Sequence, residues 1–203
     1  MFHVKQYDPK ALHNVLTWVD RPYADDAFDR CRRLAGLLIE EGITAGAIGP
    51  HEADRVWSRH ILDSVCFAAA GAGTTWLDVG TGAGLPGLPM ALCYPELEMT
   101  LLDRSGRRLD LVRRWSRILE LENVSVVEGD IADYDDRHDT LCFRGSLQLD
   151  AARTATRRHA TSVGVFGLSH IGRAPPPDAD DVEVIVVPRS VLDTGVTLLR
   201  ITP

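Results

Sequence analysis

The run Leu77-Asp78-Val79-Gly80-Thr81-Gly82-Ala83-Gly84-Leu85-Pro86-Gly87 constrains this chain more than any other segment. A β-prone stretch, Thr75 to Val79, carries an acid near its end and then meets four glycines within eight residues. Without Cβ atoms, these positions allow a sharp turn and a close approach of backbone to a bound group. The apolar residues that follow, Leu88 to Leu92, suit a helix packed on a sheet, with its first N–H groups pointing into the turn. Strand, glycine turn and helix in that order make a cradle for a nucleotide cofactor at the carboxyl end of a strand.

The glycines do not choose the cofactor, because Gly82-x-Gly84-x-x-Gly87 also satisfies the dinucleotide pattern. Asp78 shifts the balance. It stands two residues before the first glycine, where a carboxylate repels a pyrophosphate but suits a ligand carrying an ammonium and a sulfonium. S-adenosylmethionine is therefore the expected cofactor and NAD the alternative. The next strand, Glu98 to Leu102, is followed by Asp103, an acid placed to accept the hydroxyls of a ribose, which both cofactors carry. The bland alternative for both acids is a pair of solvated strand-end carboxylates.

Around this motif the pattern is α/β. Residues 8 to 70 read as mainly helical, with Phe28, Cys31, Leu34, Leu37 and Leu38 at helical spacing, Gly42 as a stop, and a second helix from Asp54 to Ala70. Strands are expected at Thr75–Val79, Glu98–Leu102, Val124–Glu128, Thr140–Phe143, Thr161–Phe166, Val182–Val187 and Val196–Ile201, with helices at 85–94, 104–121 and 147–159. The last two strands are joined by a segment too short for a crossover helix, ending in Asp193-Thr194-Gly195, so they should form an antiparallel hairpin. Five parallel strands closed by a hairpin resemble the seven-stranded, Rossmann-like sheet of class I methyltransferases. At 203 residues we expect an N-terminal helical extension over 1–72 and one cofactor-binding unit over 73–203. Pro175-Pro176-Pro177 keeps the loop from Leu168 to Asp181 from being helical in its middle.

Composition adds limits. No apolar run reaches membrane-spanning length and the N-terminus has no signal-peptide core, which points to a cytoplasmic protein without a membrane partner. The four cysteines, Cys31, Cys66, Cys93 and Cys142, have neither C-x-x-C nor Cys/His ligand spacing, so small core residues are expected, with no disulfide and no metal. The formal net charge of −7 argues against indiscriminate nucleic-acid binding. It hides six arginines between Arg104 and Arg117, of which Arg104, Arg107 and Arg114 can share a helix face. That face is a candidate phosphate contact, with a solvated helix paired to nearby acids as the alternative.

Arg59-His60-Ile61-Leu62-Asp63-Ser64, the glycine loop with Leu85-Pro86-Gly87-Leu88-Pro89, Leu101-Leu102-Asp103 and Leu119-Glu120-Leu121-Glu122-Asn123-Val124 together closely resemble one family. It is the bacterial small-subunit rRNA guanine-N7 methyltransferase family, also called glucose-inhibited division protein B, and the likeness spans roughly residues 40 to 146. The resemblance implies that Gly80 and Leu85 contact the cofactor, that Asp103 binds its ribose, and that Ile131 and Ala132 flank its adenine. It implies that Arg144 lies where methyl transfer occurs, as a catalytic or cofactor-binding arginine, and that Arg59 and His60 edge the pocket or the RNA path. Small-subunit rRNA or a ribosomal particle is then the partner. The chain departs from the family at Gly42-Ile43-Thr44, at Arg144-Gly145-Ser146-Leu147 and at Phe166-Gly167, the last removing a lysine near the substrate. Guanine N7 offers a free lone pair and no proton, so the reaction needs no general base and the lack of a catalytic dyad fits it. Two alternatives stand beside this reading: a methyltransferase of a small molecule, and a non-catalytic relative that keeps the cofactor fold.

Overall fold

The computed structural model describes residues 7–168, 179–193 and 195–203. The proline run, His170 and Thr194 of the expected turn lie outside them. Seven strands among the described residues form one sheet: β1 (Thr75–Val79), β2 (Glu98–Asp103), β3 (Val124–Glu128), β4 (His138–Phe143), β5 (Ala160–Leu168), β6 (Val182–Val186) and β7 (Thr197–Ile201). Their order is β3-β2-β1-β4-β5-β7-β6. β1 to β5 are parallel, and β7 runs antiparallel to both β5 and β6. The expected mostly parallel sheet with a closing hairpin is what forms.

Side-chain alternation along the strands divides the interior into two layers. Trp76, Met99, Leu101, Cys142 and Val165 face one side of the sheet, in a core shared with Leu34, Val65, Leu92 and Val112. Those partners come from α2 (Ala27–Leu37), α3 (Asp63–Val65), α4 (Gly87–Cys93) and α5 (Gly106–Ile118). Leu77, Val79, Leu102, Leu141 and Phe143 face the other side, against Ala152 and Ala155 of α6 (Leu149–His159). Both faces are covered, which is why the central strands read as almost continuous apolar runs. Helices α4, α5 and α6 each begin two residues later than their sequence pattern suggests, after Pro86, Ser105 and Gln148.

The helical region departs more. α1 (Pro9–Val19) starts regularly, with Asp8 accepting the Lys10 N–H at 2.9 Å and a proline at the first helical position. α2 continues through a wide π turn, Leu38–Gly42, that stops where Gly42 faces the Trp115 ring. The expected single helix from Asp54 to Ala70 is instead a 3-10 turn (Ala53–Arg55), a π segment (Val56–Leu62), the short α3 and a second 3-10 turn (Cys66–Ala69). The cause is visible at Arg59, whose carbonyl oxygen accepts an N–H from the Arg144 side chain. The chain there widens, and the Asp63 N–H reaches the Ser58 carbonyl five residues back. A contact between residues so far apart in sequence leaves no local signal.

All four cysteines are buried and unbridged, with Cys31 and Cys93 Sγ atoms 3.5 Å apart in the core. Burial pushes the thiols of Cys66 and Cys142 up. Among the described residues no helix is long and apolar enough to cross a membrane.

One carboxylate pins the lower end of the sheet. Asp139 of β4 accepts the Thr74 and Thr75 N–H groups and the Thr75 hydroxyl at 3.0 Å each, and the Thr161 hydroxyl of β5 at 2.9 Å. These donors, the Thr75 N–H first, hold its carboxyl down at about 2. A depressed carboxylate stabilises the fold above its unfolded value of 3.8, and the contribution fades as pH falls towards 2. Asp139→Ala should therefore lower unfolding stability at neutral pH by about 1–2 kcal/mol, read by urea titration, because four donors lose a charged acceptor. Asp139→Asn should recover part of the loss. A deficit below about 0.5 kcal/mol for the alanine variant would show that this cluster does not tie the strands.

Candidate functional site

Three hollows meet at the carboxyl ends of the parallel strands. The largest, 890 Å³, lies between the glycine loop, residues Arg144 to Gln148 after β4, the end of β5, and Glu52, Arg59, His60, Asp63 and Phe67 of the helical region. A second, 280 Å³, is bounded by Asp103, Arg104, Asp130 and Ile131 and shares Gly80, Gly145, Ser146 and Leu147 with the first. The third, 710 Å³, is an open groove between residues 45–47 and the first turns of α5. Arg108 lines all three.

The glycine loop owes its shape to the strand beside it. The Gly80 and Thr81 N–H groups both donate to the Leu102 carbonyl, at 2.8 and 3.0 Å, so the chain leaving β1 folds over the end of β2. Gly80 has φ +70°, and a Cβ there would lie 2.5 Å from the Cβ of Ser146, closing the wall between the two cavities. Gly84, at φ +80°, leaves space that the Leu88 side chain fills. Asp103 supports the loop from outside: its Oδ2 accepts the Gly82 N–H at 2.9 Å and its Oδ1 the Ser105 N–H at 2.8 Å. A carboxylate has about four acceptor positions, so each oxygen keeps one for a further donor in the smaller cavity.

Asp78 lies elsewhere than the sequence suggests. It is fully buried under the loop, and its Oδ2 accepts the Thr81 hydroxyl at 2.7 Å and the Gly87 N–H at 2.9 Å. Oδ1 has no hydrogen-bond partner, and the residue lines none of these hollows. Burial pushes the carboxyl up to about 6, against the lowering pull of Thr81, Gly87 and the Arg144 charge. Asp78 braces the loop rather than facing a ligand.

Arg144 is also committed to the protein. Its Nη1 donates to the Ser64 hydroxyl at 2.8 Å and its Nη2 to the Arg59 carbonyl. The guanidinium thus pins the Arg59-to-Ser64 segment to the end of β4, while the residue still lines the large cavity. Burial lowers its pKa, opposed by the charges of Asp63 and Asp78. Beside it, His60 Nε2 lies 3.0 Å from Glu52 Oε2. A carboxylate only accepts, so Nε2 carries the proton and Nδ1, buried without a partner, is a bare lone pair. Burial and the Arg144 charge hold the ring down at about 4 despite Glu52, so His60 is neutral at physiological pH.

The remaining expectations divide. Gly80, Gly82, Leu85, Arg59, His60 and Arg144 line the large cavity. Asp103 and Ile131 line the smaller one, which Gly80 shares. Gly84 lines neither, and Ala132 is exposed, with its N–H taken by Asp130 at 3.0 Å. Arg107 belongs to the groove. Glu52 and Ser146 went unassigned in the sequence, and Arg108 stood there only among the arginines of the candidate phosphate-binding stretch. Glu52 falls in an irregular loop without a motif, and Arg108 is one of six similar arginines.

Residues 28–168 match the protein family described as rRNA small subunit methyltransferase G. The ribosomal RNA small subunit methyltransferase G of Streptomyces avermitilis is 42% identical over 105 residues, which cover 51% of this chain and 44% of that protein. Its counterpart from Mycolicibacterium gilvum is 40% identical over 130 residues, covering 61% and 57%. The chain thus spans less than two thirds of the length of the curated relatives that it matches. Among solved structures, P. horikoshii TYW2 in complex with MeSAdo has a TM-score of 0.53 at 11% identity, covering 70% of this chain and 62% of that one. A precorrin methyltransferase from Geobacter metallireducens has a TM-score of 0.50 at 16% identity, covering 69% and 86%. These likenesses carry the fold, which is that of class I methyltransferases.

The buried Asp78 gives a pH signature. Its folded value of about 6 exceeds the ordinary 3.8, so keeping it ionised weighs against folding above pH 6, by about 3 kcal/mol at most, and this penalty is relieved as pH falls below 6. His60, depressed to about 4, acts oppositely: its neutral form favours folding above about 6.5, and that contribution is lost as pH falls towards 4. Comparing Asp78→Asn with the wild-type protein cancels the histidine. The variant should gain stability relative to wild type at pH 8, keep about half of that advantage at pH 5 and lose most of it by about pH 4, read as the difference in Tm. A difference independent of pH would mean that Asp78 titrates in the folded protein as it does in the unfolded chain.

Proposed function

Because the chain belongs to the rRNA small subunit methyltransferase G family, we propose that it binds S-adenosylmethionine across the two joined cavities and methylates N7 of a guanine in small-subunit rRNA. The observation that carries the cofactor assignment is Asp103: two acceptor positions remain on a carboxylate already fixed by Gly82 and Ser105, facing the smaller cavity. That set suits a vicinal diol, and Ile131 offers the apolar surface that an adenine ring needs. The absence of a Cβ at Gly80 keeps the passage to the larger cavity open. A sulfonium and an ammonium then lie on the side where Glu52, Asp63 and, behind the loop, Asp78 supply negative charge.

When bound, S-adenosylmethionine supplies an electrophilic methyl whose sulfur loses its positive charge as the new bond forms. The protein's part is to hold guanine N7 about 3 Å from that methyl, in line with the leaving sulfur. Phe67, Phe166 and Leu85 give the large cavity apolar surface for a base, and His60 and Arg59 line it as well. N7 has no proton to lose, so a neutral His60 is no handicap. Arg144 acts by fixing the segment that carries Arg59 and His60. On this reading residues 1–72 form the helical extension that supplies this wall, and 73–203 the cofactor unit. On the same reading its partner is the small ribosomal particle and its compartment the cytoplasm.

Calorimetric titration with S-adenosylmethionine, S-adenosylhomocysteine and NAD tests the cofactor, and methyl transfer to undermethylated small ribosomal subunits tests the substrate. Asp103→Ala should weaken binding of the sulfur nucleosides by about 10- to 100-fold, the worth of hydrogen bonds to a charged acceptor. Unchanged affinity would remove Asp103 from the site. Arg144→Ala should reduce turnover more than cofactor affinity; an equal loss in both would make it a cofactor ligand.

A further inference from the structure

The geometry points to the groove between residues 45–47 and α5 as the track along which a single strand of RNA reaches the large cavity, with Arg107 and Arg108 each holding a backbone phosphate. This rests on the rRNA reading above and adds the path and the residues.

The arginines of this region are not equivalent. Arg104 pairs with Asp130 at 3.4 Å, Arg113 with Asp110 at 3.1 Å and Arg114 with Glu41 at 2.9 Å. Arg107 and Arg108 are exposed and, like Arg117 about three turns further along α5, make no ion pair with a described residue. They project from adjacent positions in the first turn of α5 into the groove, where Asp110 is already engaged by Arg113. An acidic protein, with a formal charge of −7, has therefore left two guanidinium groups unneutralised at one place. Guanidinium groups match phosphate in geometry as well as charge.

The facing wall fits the same ligand. It is Ala45, Gly46 and Ala47, with no side chain larger than a methyl, and nothing lies within 4 Å of where a Gly46 Cβ would be. A bulky sugar-phosphate chain can lie close to such a wall. Arg108 then marks the turn in the path, because it borders the groove and both cavities. A strand following the groove can hold its phosphate at Arg108 while its base turns inward beneath the glycine loop. A duplex would have to release that base first, whereas single strands present bases already unstacked.

The test is fluorescence anisotropy with a single-stranded, guanine-containing oligoribonucleotide, titrated at several salt concentrations in the presence of S-adenosylhomocysteine. Losing two phosphate contacts should reduce the magnitude of the log–log salt slope by about 1.4, since each contact to a single strand contributes about 0.7. Arg107→Ala/Arg108→Ala should therefore bind at least about tenfold more weakly at low salt and with this shallower slope. Arg157→Ala removes a positive charge on α6, away from the groove, and should leave the slope unchanged. Arg107→Ala alone should keep its S-adenosylhomocysteine affinity, because Arg107 lines neither cavity. A double variant with the wild-type slope would overturn the track while leaving the rRNA reading intact. Wild-type protein that binds S-adenosylhomocysteine but no RNA, as oligonucleotide or ribosomal particle, would overturn both.

Discussion

The turn of the chain from β1 over the end of β2 is held by two carboxylates working on opposite sides of one backbone. Asp78 lies beneath the loop and takes the Thr81 hydroxyl and the Gly87 N–H; Asp103 stands beyond it and takes the Gly82 N–H. The second of these contacts requires β1 and β2 to be parallel neighbours in register, with Asp78 opposite Leu101. The loop is therefore a product of the sheet, and the cavities beside it inherit its position. Because Asp78 is shut away from water, its charge needs a counterpart, and the nearest cationic influence is Arg144 at the end of β4. That arginine also grips Ser64 and the Arg59 carbonyl. One buried charge system thus reaches from the cofactor loop through β4 to the far wall of the large cavity.

Much of this was legible in the sequence, and the limits follow a physical rule. Strands β1 and β3 begin and end where the alternation and the glycines place them, because both signals are local. The closing hairpin follows from a connection too short for a helix. The segment from 53 to 69 was legible as helical but not as irregular, since the distortion comes from an arginine some 80 residues away. Asp78 shows the same limit in reverse. Its chemistry suits a cationic ligand, yet only the fold reveals that its carboxylate turns inward, towards Thr81 and Gly87. A sequence gives the type and order of groups; which way a strand-end side chain turns is decided by its neighbours.

Charge follows a similar pattern. The arginine-rich stretch after β2 looks uniform as a string, but the fold neutralises Arg104, Arg113 and Arg114 and leaves Arg107 and Arg108 exposed on the groove. Asp150 and Asp181 likewise absorb Arg153 and Arg157 on the opposite side of the sheet. An overall acidic balance is thus compatible with a local cationic surface.

The insertion of β7 between β5 and β6 has a consequence for synthesis. β5 cannot be paired on its outer side until residues 197–201 have been made, because β6, which is made earlier, borders β7 and not β5. On a growing chain the first five strands can assemble with the glycine loop in place, while β5 presents an open row of backbone groups to its surroundings. Such an edge is a template for pairing with other chains. The nascent chain keeps this edge open until β7 has been made, and β7 then both fills the gap beside β5 and removes that hazard.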